Sequence, residues 1–182
     1  MTDELPDELS EAALGLRMAV VEVEKYVSDE GWDQAGRLFA LVPTHELAQA
    51  EPQLAAELGI STASAPPLTP VEQELEAPAG ALEEVLERIS WPETVAGALA
   101  VLERVVLPPE IEDDLPEDAD AAAAYAAEHP DREDVRIAVA VLRSGETHCV
   151  VRMRAHDDDD ALLHGTDMVP SLVLALRETL AE

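Results

Sequence analysis

DVRIAVAVLRSGETHCVVRMRAHDDDD (Asp134–Asp160) reads as a β-hairpin that runs into four consecutive aspartates. Val135, Ile137, Val139 and Val141 alternate with Arg136, Ala138, Ala140 and Leu142, and Cys149, Val151 and Met153 alternate with His148, Val150, Arg152 and Arg154. A period of two with β-branched residues marks a strand with one apolar face. Ser144–Gly145 marks the turn. The pattern also fixes the register, because a slip of one residue moves every side chain to the opposite face. A two-residue loop pairs Ile137 with Arg152 and Val135 with Arg154, setting arginines against aliphatic side chains at a cost in desolvation. A three-residue loop, Arg143–Gly145, pairs Val139 with Cys149, Ile137 with Val151 and Val135 with Met153. It also places Gly145 where a left-handed residue is needed. The longer loop is therefore expected.

This register gathers Arg136, Arg152 and Arg154 on the outer face. Two readings follow. The arginines form a solvated face neutralised by Asp131, Glu133, Asp134 and Asp157–Asp160, as surface ion pairs commonly are. Alternatively they form a shelf for an anionic group or an acidic peptide.

Working outward, the chain of 182 residues has about one domain's length. It is expected to fold as one domain over residues 1–182, with a Ser/Pro-rich connection near residues 61–70 and an acidic, Ala-rich connection near residues 108–134. At this length about 70% of the unfolded surface can be buried, so no disulfide or metal is required for folding. The single cysteine, Cys149, excludes an internal disulfide and fits a reducing cytoplasm. The acidic start MTDELPDELSEAALGL lacks the basic and apolar regions of a secretory signal. No stretch reaches the roughly 18 apolar residues of a membrane helix.

The net charge is −29, from 40 acidic and 11 basic residues. Such a chain repels nucleic-acid phosphate and anionic lipid. Neutral or basic proteins are the expected partners. Aromatic content of 3% is too low for a base-stacking platform. Salt adaptation is a second cause compatible with the acidity.

Residues 7–28 predict a helix whose apolar seam is Leu9, Ala13, Leu16, Val20, Val23 and Val27. The seam either docks on a sheet or pairs with a second copy. Trp32–Val42 predicts a strand that ends at Pro43. Short helices follow from Thr44 to Leu47 and from Pro52 to Gly59. Thr69–Pro70–Val71–Glu72 has the form of a capping box with proline at the first helical position, and so predicts a helix start. Pro78 and Gly80 interrupt that helix, and Leu82, Val85, Leu86 and Ile89 continue a helical face. Thr94–Leu107 is apolar at both periods; flanking prolines and three valines favour a strand. Ala121–Glu128 predicts a short surface helix, and Val169–Ala181 a final one with Leu172, Leu176 and Leu180 on one face. The order predicts an α+β fold: an antiparallel sheet of about four strands with helices mainly on one face. More helical segments than one sheet face can hold leave apolar surface for a homodimer.

Donor residues of metal sites cluster late in the chain: His148, Cys149, His156, Asp157–Asp160, His164 and Asp167. If the strand continues, His148 and His156 lie roughly 27 Å apart at ~3.4 Å per residue and cannot share an ion. Asp157–Met168 lacks the glycine and the distal glutamate of an EF-hand loop. A site built from His156, the aspartates and His164 stays open, and with it a cation-dependent enzyme; the other reading is an acidic, hydrated loop. There is no phosphate-binding glycine loop, no nucleophile elbow around Ser90, Ser144 or Ser171, and no paired-histidine zinc helix. The residues therefore nominate no catalytic group, metal ligand or cofactor, and the first expectation is a non-enzymatic adaptor.

Four phrases carry a resemblance: WDQAGRLFALVPT (Trp32–Thr44), ISWPETVAGALAVLERVVLPP (Ile89–Pro109), HPDREDVRIAVAVLRSGETHCVVRMRAHDDDDALLHG (His129–Gly165) and DMVPSLVLALRETL (Asp167–Leu180). From Leu9 to Leu180 the chain resembles a family of small, acidic cytosolic proteins of actinobacteria. That resemblance carries no site residue over to this chain. The expected architecture is also similar to that of type III secretion chaperones, which are small, acidic and dimeric, and this implies a chaperone-like role.

Overall fold

The computed structural model describes residues 10–60, 66–75 and 82–181. Its frame is a six-stranded, wholly antiparallel sheet. The strands are β1 (Arg37–Pro43), β2 (Leu68–Gln73), β3 (Gly97–Val106), β4 (Glu133–Leu142), β5 (Thr147–Met153) and β6 (Leu163–Gly165), in the spatial order β2-β1-β3-β4-β5-β6. β3 to β6 form a meander, while the chain passes over β1 to get from the β2 edge to β3.

The hairpin adopts the odd-length loop. Val135 faces Met153, Ile137 faces Val151 and Val139 faces Cys149. Gly145 has φ of 110°, and its amide donates to the Leu142 carbonyl at 3.0 Å. Thr94–Leu107 resolves as a strand, β3, whose residues Ala98, Ala100 and Leu102 point to one face and Leu99 and Val101 to the other.

The sheet has six strands rather than about four. β2 occupies the stretch whose capping-box pattern predicted a helix. Pro70 is tolerated there because β2 is an edge strand, where one backbone N–H has no partner strand to serve. The Thr69 hydroxyl does not cap a helix; it lies 2.8 Å from the Thr44 hydroxyl. β6 is only three residues long and carries too little pattern to be read beforehand. β1 begins at Arg37, leaving Trp32 in the loop before it. The predicted breaks at Pro78 and Gly80, the start of the first helix before Ser10 and the first half of the Ser61–Pro70 connection lie outside the described residues.

The helices cover both faces, a second correction. Helix α1 (Glu11–Asp29) lies on one face, packing Leu16, Val20, Val23 and Val27 against Phe39, Leu41, Leu99, Val101, Ala138, Ala140 and Val150. The seam from Leu16 to Val27 thus docks on the sheet. Four short helices come after α1 in the chain: α2 (Thr44–Ala50), α3 (Pro52–Glu57), α4 (Leu82–Leu86) and α5 (Pro109–Glu112). They are followed by α6 (Ala119–Glu128) and α7 (Pro170–Leu180). α7 and α4 cover the opposite face, where Leu172, Leu176, Leu180, Leu82 and Leu86 meet Val135, Ile137, Val139, Val141 and Cys149. The physical cause is legible in the middle strands. Ala138, Ala140 and Leu142 alternate with valines but are themselves apolar, so both faces of β4 require cover.

Candidate functional site

One row of charge interrupts the α1 face. Glu103 on β3, Arg136 on β4 and Arg152 on β5 are direct cross-strand neighbours. Along this face Glu103 follows Leu99 and Val101, Arg136 precedes Ala138 and Ala140, and Arg152 follows Val150, so the sheet carries these groups beneath α1 beside its apolar residues. The helix answers with Glu24, which lies four residues after Val20 and three before Val27, on the seam itself.

Arg152 is the hub. Its Nε donates to Glu24 Oε1 at 2.6 Å and its Nη2 to Glu24 Oε2 at 2.9 Å. The same guanidinium reaches Asp157 Oδ1 at 3.0 Å and Asp159 Oδ1 at 2.7 Å. Both Arg152 and Glu24 are buried. A buried ion pair is tolerable only when the remaining polar atoms are also bonded, and the two aspartates supply that. The hydrogen bonds to Glu24 hold the Arg152 guanidinium charged.

Arg136 is buried beside it. It donates to Glu103 Oε1 at 3.1 Å and to the Gly31 carbonyl, and its guanidinium carbon lies 4.4 Å from the centre of the Trp32 ring. Its Nε and Nη1 have no hydrogen-bond partner among the described residues. The Trp32 face therefore contributes cation–π attraction where hydrogen bonds are missing. Arg154, at the margin, grips Asp33 through two hydrogen bonds of 2.9 and 3.1 Å. Asp33 has φ of 66°, which turns its amide and that of Gln34 onto Glu103 Oε2. Trp32 Nε1 donates to Asp157 Oδ2 at 2.9 Å. That bond, with Arg152, keeps the Asp157 carboxyl below the ordinary carboxylate range; Arg152 and Lys25 do the same for Asp159, and Arg154 for Asp33.

The three arginines are thus brought together, as the register required, but two of them, Arg136 and Arg152, are buried rather than facing water. Arg136 and Arg152 are engaged by carboxylates of this chain; Arg154 remains partly exposed. Of the neutralising residues expected from sequence, Asp134, Asp157 and Asp159 take part. Glu24, Glu103, Trp32 and Asp33 were missed. Glu24 left a signal, since a carboxylate on an apolar seam calls for an inward-facing cation.

The acidic loop after β5 is committed to this cluster through Asp157 and Asp159, while His156 is exposed. Among the described residues, no three His, Cys, Asp or Glu side chains are grouped to hold an ion. His148 is instead paired with His164 across β5 and β6, its Nε2 3.2 Å from His164 Nδ1. Cys149 is buried on the α7 side, and burial pushes its thiol pKa up, away from the reactive thiolate.

At the other end of α1 lies a groove of about 750 Å³. Leu14, Met18, Pro43, Pro67, Leu68 and Leu142 contribute its apolar lining. Leu14 and Met18 are half exposed although they sit one turn apart on the same helix face. Gly15 keeps α1 close to the groove wall: a Cβ there would stand 3.3 Å from Pro67 Cβ. Glu11, Glu46 and Glu93 edge the opening. Arg143 also borders it, but its guanidinium donates to the carbonyls of Val95, Trp91, Pro92 and Leu180. Carboxylates thus stand beside an apolar lining in this groove.

These features define an α+β protein with a six-stranded antiparallel sheet covered on both faces, an internal ion-pair cluster and a separate apolar groove. The chain matches the family described as PPA1309-like protein over residues 16–181, and it belongs to that family. No curated protein and no solved structure matches it. No helix of the described residues is long and apolar enough to cross a membrane.

Proposed function

We propose that the protein is a non-enzymatic protein-binding module, an adaptor or chaperone-like protein, that holds an apolar segment of a neutral or basic partner in the groove beside α1. The observation that carries this reading is the combination of exposed Leu14 and Met18 with an acidic rim. Apolar floor supplies affinity, and carboxylates select against acidic partners. A volume of about 750 Å³ suits a few large side chains. The loop from His156 to His164 lends no support to a cation-dependent enzyme, because two of its aspartates are tied to Arg152. The α1 seam, which the sequence offered to a second copy, and the apolar Leu172–Leu180 face are both covered within the chain. The groove, with Leu14 and Met18 half exposed, is the apolar surface we propose for self-association as well.

Site-specific photo-crosslinking in the native cytosol tests the reading. A photoreactive residue at position 14 should trap one discrete partner. The same probe at Leu174, an exposed residue of α7, should not. Identical products from both positions, or none from position 14, contradict the proposal.

A further inference from the structure

The histidine pair on the far edge of the sheet belongs to neither the arginine cluster nor the groove. His148 stands on β5 and His164 on β6, diagonal to one another on the same face, since His164 is the direct partner of Val150. Their facing nitrogens, His148 Nε2 and His164 Nδ1, are 3.2 Å apart and the rings are tilted by 42°. In a neutral pair one nitrogen donates and the other accepts.

The same spacing has a second chemical meaning. Two imidazole nitrogens that each stand 2.0–2.1 Å from a tetrahedral zinc ion are separated by about 3.3 Å. The strands already hold the two nitrogens at that separation, so the rings need only turn, without moving apart, for both lone pairs to converge on an ion. The geometry points to a binding site for a divalent transition cation of the zinc class, held by His148 Nε2 and His164 Nδ1, with water completing the shell. On binding, the N–H that bridges the rings moves to the outer nitrogen of the same imidazole, so both facing lone pairs become available without net loss of a proton.

Other features agree with this. His148 is only half-buried, so its ring edge stays within reach of an ion at the sheet margin. His164 is exposed, which gives the ion an entry path. With only two protein ligands, the site is expected to bind more weakly than a four-ligand structural zinc site. Hard cations that prefer oxygen are not expected to compete. The ion would clasp β6, which pairs through only three residues, onto β5. It would thereby steady the intervening loop that presents Asp157 and Asp159 to Arg152. This site is independent of the proposed partner groove, and neither depends on the other.

The test uses tag-free, chelator-treated full-length protein, titrated calorimetrically with zinc chloride and, separately, magnesium chloride. The expected result is saturable binding of one zinc per chain, no comparable magnesium binding, and affinity weakened by about tenfold or more in His148→Gln and in His164→Gln. His164 is exposed, so the second variant decides the matter even if the first fails to fold. Absence of saturable zinc binding, equal binding of magnesium, or zinc affinity unchanged in His164→Gln would overturn the site and assign any zinc uptake to the general negative charge.

Discussion

Arg152 on β5 and Glu24 on α1, separated by 128 residues in sequence, meet in a buried two-point ion pair with N···O distances of 2.6 and 2.9 Å. This is the contact that fixes how α1 lies on the sheet. Apolar packing alone would let a seam of valines and leucines slide or rotate slightly. A planar guanidinium that must meet a planar carboxylate permits one placement.

Breaking that pair from one side should be severe. Glu24→Leu leaves a buried guanidinium partly uncompensated, and urea unfolding should show a loss of about 3–5 kcal/mol. Replacing both partners, Glu24→Leu with Arg152→Met, should recover most of the loss, because an apolar pair demands no desolvation. Equal destabilisation in the single and double variants would mean that the pair does not act as a unit.

The hairpin register rests on Gly145, and the tight packing of β3 on β4 rests on Gly97. Gly145→Val forces a β-branched residue to φ of 110° and should cost roughly 1 kcal/mol or more. Gly97→Ala should be worse, since its Cβ would stand 2.5 Å from the backbone oxygen of Val141, which cannot swing aside. Wild-type thermal stability in Gly97→Ala would refute the β3–β4 register.

Acidification should act in two windows. His148 has its pKa lowered from 6.5 to about 4, so between those values the unfolded chain binds more protons than the folded one. Stability therefore falls as pH drops from about 6.5 to about 4. Below that, Asp33, Asp157 and Asp159, whose pKa values lie under the ordinary 3.8, lose their contribution as they protonate. His148→Gln should flatten the upper window and leave the lower one in place. Melting curves collected across the range check this; an upper slope that persists in the variant would show that His148 is not its source.

Much of the frame was legible in the sequence, and the misses have particular causes. The hairpin could be read because an incorrect register would have set Arg152 against Ile137. Thr94–Leu107 could be read as a strand from its prolines and valines. β2 was misread because Thr69–Pro70–Val71–Glu72 satisfies a local helix-start rule, whereas its pairing with β1 is a tertiary gain that no local window contains. The second helical layer was missed because Ala138 and Ala140 were assigned to the polar face of β4. Of the ion-pair cluster, the arginines were visible and their acidic partners only in part. Glu24 and Arg152 are far apart in sequence, and only the docking of α1 makes them neighbours. The pairing of His148 with His164 depended on β6, whose three residues announce nothing.

Self-association should depend on ionic strength. At a net charge of −29 each copy repels the next, and salt screens that repulsion while leaving apolar burial intact. Sedimentation should show any dimer growing with salt, and Met18→Lys, which places a charge on the exposed apolar face, should suppress it. A dimer that salt dissociates would mean that charge, not the apolar face, joins the copies.

The central claim is that the groove beside α1 binds an apolar segment carried by a neutral or basic partner. The most direct measurement is fluorescence anisotropy with two labelled amphipathic peptides that share one apolar face and differ in their polar face, lysine-rich in one and glutamate-rich in the other. Wild-type protein should bind the lysine-rich peptide more tightly, bind it less tightly as salt rises, and lose that binding in Met18→Lys. Equal affinity for both peptides, or binding that survives Met18→Lys unchanged, would contradict the account.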